Sequence, residues 1–233
     1  MKFIADLGFS WSYPAGTLPR AAATAPVSGA VVRDISENKN GQSVGLSGAL
    51  NISYAGGGFD FTNCTNVNDE VGIEIPATVS ADIFTNQEYL LCVYMKLPSL
   101  ANWNTQSSLQ GMITASGANG TYQNDTEIVL IAQQRPTATN GILSVRFQSA
   151  AGTASPNLTL SIPAGTDMYD NAIVQVSAWV SGGNAYARVK TATTEVLSSS
   201  AFSGNAVNFS ASTIKLGGSS SGFNVSTTQP SVQ

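Results

Sequence analysis

The chain has 233 residues, with 10 Lys and Arg against 14 Asp and Glu, no histidine, and only 10% charged side chains, well under the roughly 25% of an average domain. The length suits one substantial all-β domain carrying an arm, while a net charge of −4 with scattered basic residues excludes the Lys/Arg cluster that nucleic acid requires. The longest apolar run, Tyr89 to Met95, is a strand's length and cannot span a bilayer.

Residues 1–26 differ from the rest of the chain. Phe3, Phe9, Trp11 and Tyr13 are succeeded by Pro14, Gly16, Pro19 and Pro26. Proline forbids a continuous helix and a central strand. The stretch reads as an extended arm that packs on its own domain or on a neighbour, the alternative being an extra edge strand. Lys2 is followed only by Phe3-Ile4-Ala5 before Asp6, so no secretory signal is read there.

From Val27 the chain reads as strands and turns. A polar turn, Asp34-Ile35-Ser36-Glu37-Asn38-Lys39-Asn40-Gly41, leads to the glycine-led aromatic segment Gly56-Gly57-Gly58-Phe59-Asp60-Phe61, then to Val71-Gly72-Ile73-Glu74-Ile75-Pro76. Tyr89 to Met95 is apolar in both parities, which predicts a strand buried on both faces. Glu127 to Ala132 is similar. Ile142 to Phe147 and Leu158 to Ile162 alternate with period two, as half-buried strands do. Ala172 to Val180 and Ala185 to Lys190 flank Ser181-Gly182-Gly183-Asn184, a glycine hairpin. Trp179, inside a strand, is expected in the core. No segment sustains a helical period. Many short strands at this spacing predict a sandwich.

The order of the Asp34–Gly41 turn, the Gly56–Phe61 strand and the strand ending in Ile75-Pro76 resembles the opening of a laminin-G-like, concanavalin A-like jelly roll. The resemblance extends from Val27 to Gly222: Asn86 to Lys96 is similar to the long central strand, Leu109 to Gly117 to the next, and Ile214 to Gly218 to the late Ile-Gly-Gly strand. It implies an all-β, two-sheet antiparallel jelly-roll sandwich over residues 27–222, an arm over 1–26, and a Ser/Thr-rich tail over 223–233. Two departures stand out. The family's Trp-His-His-Val strand has no counterpart, and the hairpin Tyr186 to Lys190 lacks its Asp-Gly. The family's closing strand is also not evident after Gly222-Phe223-Asn224-Val225, which leaves a degenerate strand, the arm, or a longer polypeptide to finish the sheet.

Catalytic chemistry is sparse. Gly41-Gln42-Ser43-Val44-Gly45 matches the serine-nucleophile pattern, but that motif needs a strand-to-helix elbow and a histidine base. Gly56-Gly57-Gly58 lacks the lysine and helix of a phosphate loop. Glu70 and Glu74 share a strand face about 13 Å apart, too far for either glycosidase arrangement. The chain is therefore read as no enzyme, with no resident cofactor.

Calcium is the one metal the composition would admit, since hard cations take loop oxygens and the resembled domains often carry one in a rim loop. Asp34 with Asn38 and Asn40, Asp60 with Asp69, or Asp167 with Asp170 would supply them; turn formation by these side chains is the competing reading. Sugar binding would use an exposed aromatic beside amides. Trp103 with Asn102 and Asn104, and Tyr122 with Asn124 and Asp125, have that composition, and the alternative is that both rings cap the core. Cys64 and Cys92 read as two small buried hydrophobes rather than a disulfide.

These readings converge on a structural protein of a virus particle, a bacteriophage tail, fibre or capsid-surface subunit. It would be assembled in the host cytoplasm, homo-oligomeric, in contact with other virion subunits and with a host glycan, and would touch neither nucleic acid nor membrane. The alternative is a carbohydrate-binding module of a larger surface protein or enzyme, placed extracellularly.

Overall fold

The computed structural model describes residues 31–33, 41–43, 45–46, 53–55, 58–60, 73–75, 88–97, 99–103, 110–116, 127–150, 153–169, 172–202, 213–216 and 231–232. The strands are short early in the chain: β1 (Val31–Arg33), β2 (Gly41–Ser43), β3 (Gly45–Leu46), β4 (Ser53–Ala55), β5 (Gly58–Asp60) and β6 (Ile73–Ile75). They lengthen through β7 (Tyr89–Lys96), β8 (Gln110–Ser116), β9 (Glu127–Gln134), β10 (Asn140–Ala150), β11 (Thr153–Pro163), β12 (Ile173–Ser181), β13 (Asn184–Lys190) and β14 (Glu195–Ala201). The last two are β15 (Thr213–Leu216) and β16 (Ser231–Val232). Helix among the described residues is limited to one 3-10 turn, Leu100–Asn102, capped by the Ser99 side chain.

Every strand pairing among the described residues is antiparallel, and the strands form two seven-stranded sheets plus the β1-β2 pair. One sheet runs β11-β10-β9-β8-β15-β6-β3, the other β14-β13-β12-β7-β16-β5-β4. Ser231 and Val232, inside the expected tail, pair with Lys96 and Met95 on one side, and Val232 with Phe59 on the other. The C-terminal residues thus occupy the middle of a sheet. The arm residues Phe3, Phe9, Trp11 and Tyr13 lie outside the described residues.

The core lies between the two sheets. Val129 and Ile131 of β9, Leu143, Val145 and Phe147 of β10, and Leu158, Leu160 and Ile162 of β11 are buried. Facing them are Val93 and Met95 of β7, Val174, Val176, Ala178 and Val180 of β12, and Ala185, Ala187 and Val189 of β13. In each strand these residues recur every second position, the period of the pleat. Each such large side chain contributes about 1.5–3 kcal/mol by leaving water. Phe147 meets Phe202, which follows β14, at 5.7 Å between ring centres.

Two local devices fix the geometry of the second sheet. Gly182 and Gly183 have φ of +57° and +76°, which a two-residue hairpin requires and residues with a Cβ rarely adopt. That tight turn sets the register Ser181↔Asn184 through Gln175↔Lys190. On the next loop, the exposed Asp167 Oδ2 accepts from the hydroxyls of Thr191 and Thr193, both at 2.6 Å. These hydroxyl donors favour the carboxylate and lower its pKa from 3.8 to about 2. A group with a depressed folded pKa stabilises the fold above its unfolded pKa and loses that contribution as pH falls through the folded one. Asp167→Asn should therefore melt below the parent at pH 5 to 7, and the gap should close as pH drops from about 4 to about 2. A thermal melt series across that range checks it. Asp170, the expected calcium partner of Asp167, lies outside the described residues.

Candidate functional site

Trp103, the leading sugar-stacking expectation, is buried at 2% exposure. Its Nε1 donates to the Gln134 carbonyl at 2.9 Å, and its ring meets Tyr169 edge-on at 5.9 Å. Tyr169 Oη in turn accepts from the Gly141 N–H at 2.9 Å and donates to the Ile162 carbonyl at 2.6 Å. Burial raises the pKa of that phenol and keeps it a donor. The indole closes one end of the core, and neither ring face is free for a sugar. This corrects the stacking role and agrees with the core-capping alternative. Asn102 is exposed in the 3-10 turn. Asn104, Tyr122, Asn124, Asp125, Asp34, Asn38, Asn40 and Asp69 lie outside the described residues. Among the described residues no group of three His, Cys, Asp or Glu side chains could hold a metal.

The strand expected to be buried on both faces is not. In β7, Tyr89, Val93 and Met95 point inward, while Leu90, Cys92 and Tyr94 are exposed. The reason lies in what packs on the sheet: the β11-β10-β9-β8-β15-β6-β3 sheet covers one face of β7, and among the described residues Leu90, Cys92 and Tyr94 stay exposed on the other. Cys92 is a free, exposed thiol, which corrects its reading as a buried hydrophobe. Trp179 is the third correction. It shares its face of β12 with Gln175 and Ser177, opposite the buried Val174, Val176, Ala178 and Val180.

Register assembles the outer face in rows. Leu90, Trp179, Tyr186 and Ser199 are directly opposed across four strands. So are Cys92, Ser177, Arg188 and Leu197, and then Tyr94, Gln175, Lys190 and Glu195. Trp179 and Tyr186 stack nearly parallel, 4.9 Å apart and 8° from coplanar. The Arg188 guanidinium carbon lies 5.4 Å from the Trp179 ring centre, a cation–π distance. A polar chain crosses the neighbouring row. Gln175 Nε2 donates to Tyr94 Oη at 2.9 Å, Arg188 Nη2 donates to Gln175 Oε1 at 3.3 Å, and Arg188 Nη1 sits 3.8 Å from Glu195 Oε2.

Around this built centre stand Leu90, Tyr94, Ile173 and Leu197, 47–55% exposed. Register sets Leu90 opposite Trp179, and Tyr94, Ile173 and Leu197 opposite Gln175, Lys96 and Arg188, so exposed apolar and polar side chains are interspersed across the face. Two polar atoms in the middle of the face, Ser177 Oγ and Arg188 Nε, are buried without a hydrogen-bond partner. Such atoms cost free energy until a partner is supplied. The arrangement of Trp, Tyr and Arg anchors with an aliphatic surround is the composition that dominates binding energy at protein contacts.

Comparison with known proteins adds distant likenesses. Full-length tailspike protein 2 from an Escherichia coli O157:H7 bacteriophage aligns over 71% of this chain and 21% of its own, at 10% identity and a TM-score of 0.44. The enzymatically active domain of bacteriophage CBA120 tailspike protein 2 aligns over 71% of this chain and 23% of its own, at the same identity and TM-score. This chain thus spans under a quarter of either structure. No protein-family profile and no curated protein matches it.

Proposed function

We propose that this chain is a structural module of a bacteriophage particle, a tail, fibre or capsid-surface subunit, which engages a neighbouring subunit through the outer face of the β14-β13-β12-β7 sheet. The observation that carries the reading is the outer sheet face built on the Trp179–Tyr186 stack, with Leu90, Tyr94, Ile173 and Leu197 exposed on it. Trp, Tyr and Arg are enriched where protein contacts take most of their energy. The sparse charge of the chain suits close packing in an assembly, because few ionic groups must be desolvated. Two seven-stranded antiparallel sheets support the laminin-G-like, concanavalin A-like jelly roll as its scaffold. The aromatic arm over residues 1–26 suits tying neighbours together, as arms do in symmetric assemblies.

Carbohydrate binding finds less support. Of its two expected anchors, Trp103 lies inside the core and Tyr122 lies outside the described residues, and Tyr186 already covers one face of Trp179. Mass spectrometry of purified particles from the source of this sequence tests the reading. The chain should be present at a fixed copy number per particle. Particles that lack it would overturn the proposal.

A further inference from the structure

We infer that Asn140-Gly141 is a site of spontaneous hydrolytic deamidation restrained by the Tyr169 phenol, so that isoaspartate forms there when the Trp103–Tyr169 end of the core opens.

Packing forces the dipeptide. Gly141 is buried where the rings of Trp103 and Tyr169 leave no room for a side chain: a Cβ would stand 2.9 Å from Trp103 Cζ3 and 2.9 Å from Tyr169 Oη. Asn140 before it opens β10 and is half-buried. Backbone attack on an asparagine side chain is least hindered when glycine follows, because no Cβ shields the attacking nitrogen. The demand that selects glycine here therefore also creates the reactive pair.

The chemistry needs water alone. The Gly141 nitrogen attacks Asn140 Cγ. The new N–Cγ bond closes an imide ring, the Cγ–Nδ2 bond breaks, and the Gly141 proton departs with the ammonia. Water then opens the imide at either carbonyl. One opening leaves aspartate; the other leaves isoaspartate, whose backbone runs through Cβ and Cγ and is longer by a methylene.

The folded chain withholds each participant. The Gly141 N–H donates to Tyr169 Oη at 2.9 Å, and that phenol gives its own proton to the Ile162 carbonyl at 2.6 Å. Burial keeps the phenol protonated, so it cannot serve as base for the Gly141 proton. Asn140 Nδ2 donates to Ser161 Oγ at 2.6 Å, which ties the side-chain amide to β11. The intervening peptide is held from its other side. Asn140 N–H donates to Thr137 Oγ1 at 3.0 Å, and the Asn140 carbonyl accepts from the Thr137 N–H at 2.9 Å. A fixed carbonyl fixes the nitrogen on the same planar peptide. Imide closure brings that nitrogen into one plane with Cβ and Cγ, far from the extended ψ of a strand, and the rings against Gly141 leave the backbone no space to turn.

Release of Tyr169 frees the nitrogen and the peptide together, and openings of this kind occur without global unfolding. The isoaspartate product cannot return, since its longer backbone displaces the pairing Asn140↔Pro163 and Gly141↔Ile162. Each event removes a chain from the native pool, which makes the lifetime of this end kinetic rather than thermodynamic.

The test ages the whole chain at neutral pH, well below its melt, with peptide mapping that separates aspartate from isoaspartate. Asn40-Gly41 and Asn119-Gly120, the other such pairs in the sequence, are internal references. A synthetic peptide of residues 136–145 supplies the unrestrained rate. Asn140 should react more slowly in the folded parent than in the peptide. Tyr169→Phe should speed it about tenfold, the equivalent of one buried hydrogen bond, and leave the reference pairs unchanged. A parent rate equal to the peptide's would overturn the restraint, and a Tyr169→Phe rate equal to the parent's would overturn the phenol as its source. Phe202→Leu is the control for general loosening: Phe202 N–H bonds the Gly183 carbonyl, at the other end of β13 from the Thr191 that meets Asp167. Equal acceleration by that variant would also refute the inference. Should Tyr169→Phe not fold, hydrogen exchange of the parent decides, because a fast-exchanging Gly141 amide is incompatible with the restraint and a slow one is required by it.

Discussion

Trp103→Ala will lower the stability of the fold by about 3–5 kcal/mol, the usual loss for a buried aromatic. In a chain of this size each kcal/mol shifts the midpoint by about 2–4 °C, so the melt should move by roughly 10 °C. Three losses combine. The indole vacates a site from which water is excluded, the edge-on contact with Tyr169 disappears, and the Gln134 carbonyl loses its donor. A sugar-stacking tryptophan would behave in the opposite way, with binding lost and the melt unchanged. Differential scanning calorimetry of parent and variant separates the two, and an unmoved melt would refute the core role.

Gly141→Ala is expected to cost about 1–3 kcal/mol by overpacking, although it adds a single methyl to a strand. A Cβ at residue 141 would stand 2.9 Å from Trp103 Cζ3, 3.0 Å from its Cε3, and 2.9 Å from Tyr169 Oη. The crowding atoms belong to rings fixed by hydrogen bonds, so neither yields cheaply. Retreat of Tyr169 would also break its bond from the Gly141 N–H. A double-mutant cycle sharpens the result. Trp103→Phe removes the benzo edge that crowds the methyl, so Gly141→Ala should cost less in that background than alone. Strict additivity of the two would contradict the close approach, since residues in contact couple by about 0.5 kcal/mol or more.

The sandwich was legible because its long strands carry clear period-two patterns and its hairpin carries two glycines. The Gly182-Gly183 turn fixes register by itself, and from it the Trp179–Tyr186 pairing could have been written down in advance. The expectation of a core Trp179 rested on its place inside a strand, whereas parity decides which face it takes. Its companions at 175, 177 and 181 are polar, whereas 174, 176, 178 and 180 are all apolar, and the polar parity faces outward. In β7 no such guide exists, because Tyr89, Leu91, Val93 and Met95 are no more apolar than Leu90, Cys92 and Tyr94 are in bulk character. The open face of that strand follows from what packs on the sheet, a tertiary fact. Trp103 failed for a related reason. Its Asn neighbours give it the composition of a loop site, and nothing local reveals that the ring turns back to Gly141 and Tyr169, which lie far along the chain. Strand β14, Glu195–Ala201, escaped the sequence reading altogether, since Ser198, Ser199 and Ser200 obscure its alternation.

The seat of β16 between β5 and β7 has a consequence for the order of folding events. The meander from β12 to β14 closes over short spans and can form as soon as it is synthesised, since local contacts cost little loop entropy. The join of β7 to β5 waits for Ser231 and Val232, which emerge more than half the chain's length after Lys96. Throughout that interval one edge of β7 offers unpaired backbone donors and acceptors to any passing strand. Nascent chains crowded on one message would be exposed to edge-to-edge capture in this window. Faster elongation past residue 201, or chaperone cover of the β7 edge, should raise the yield of native protein.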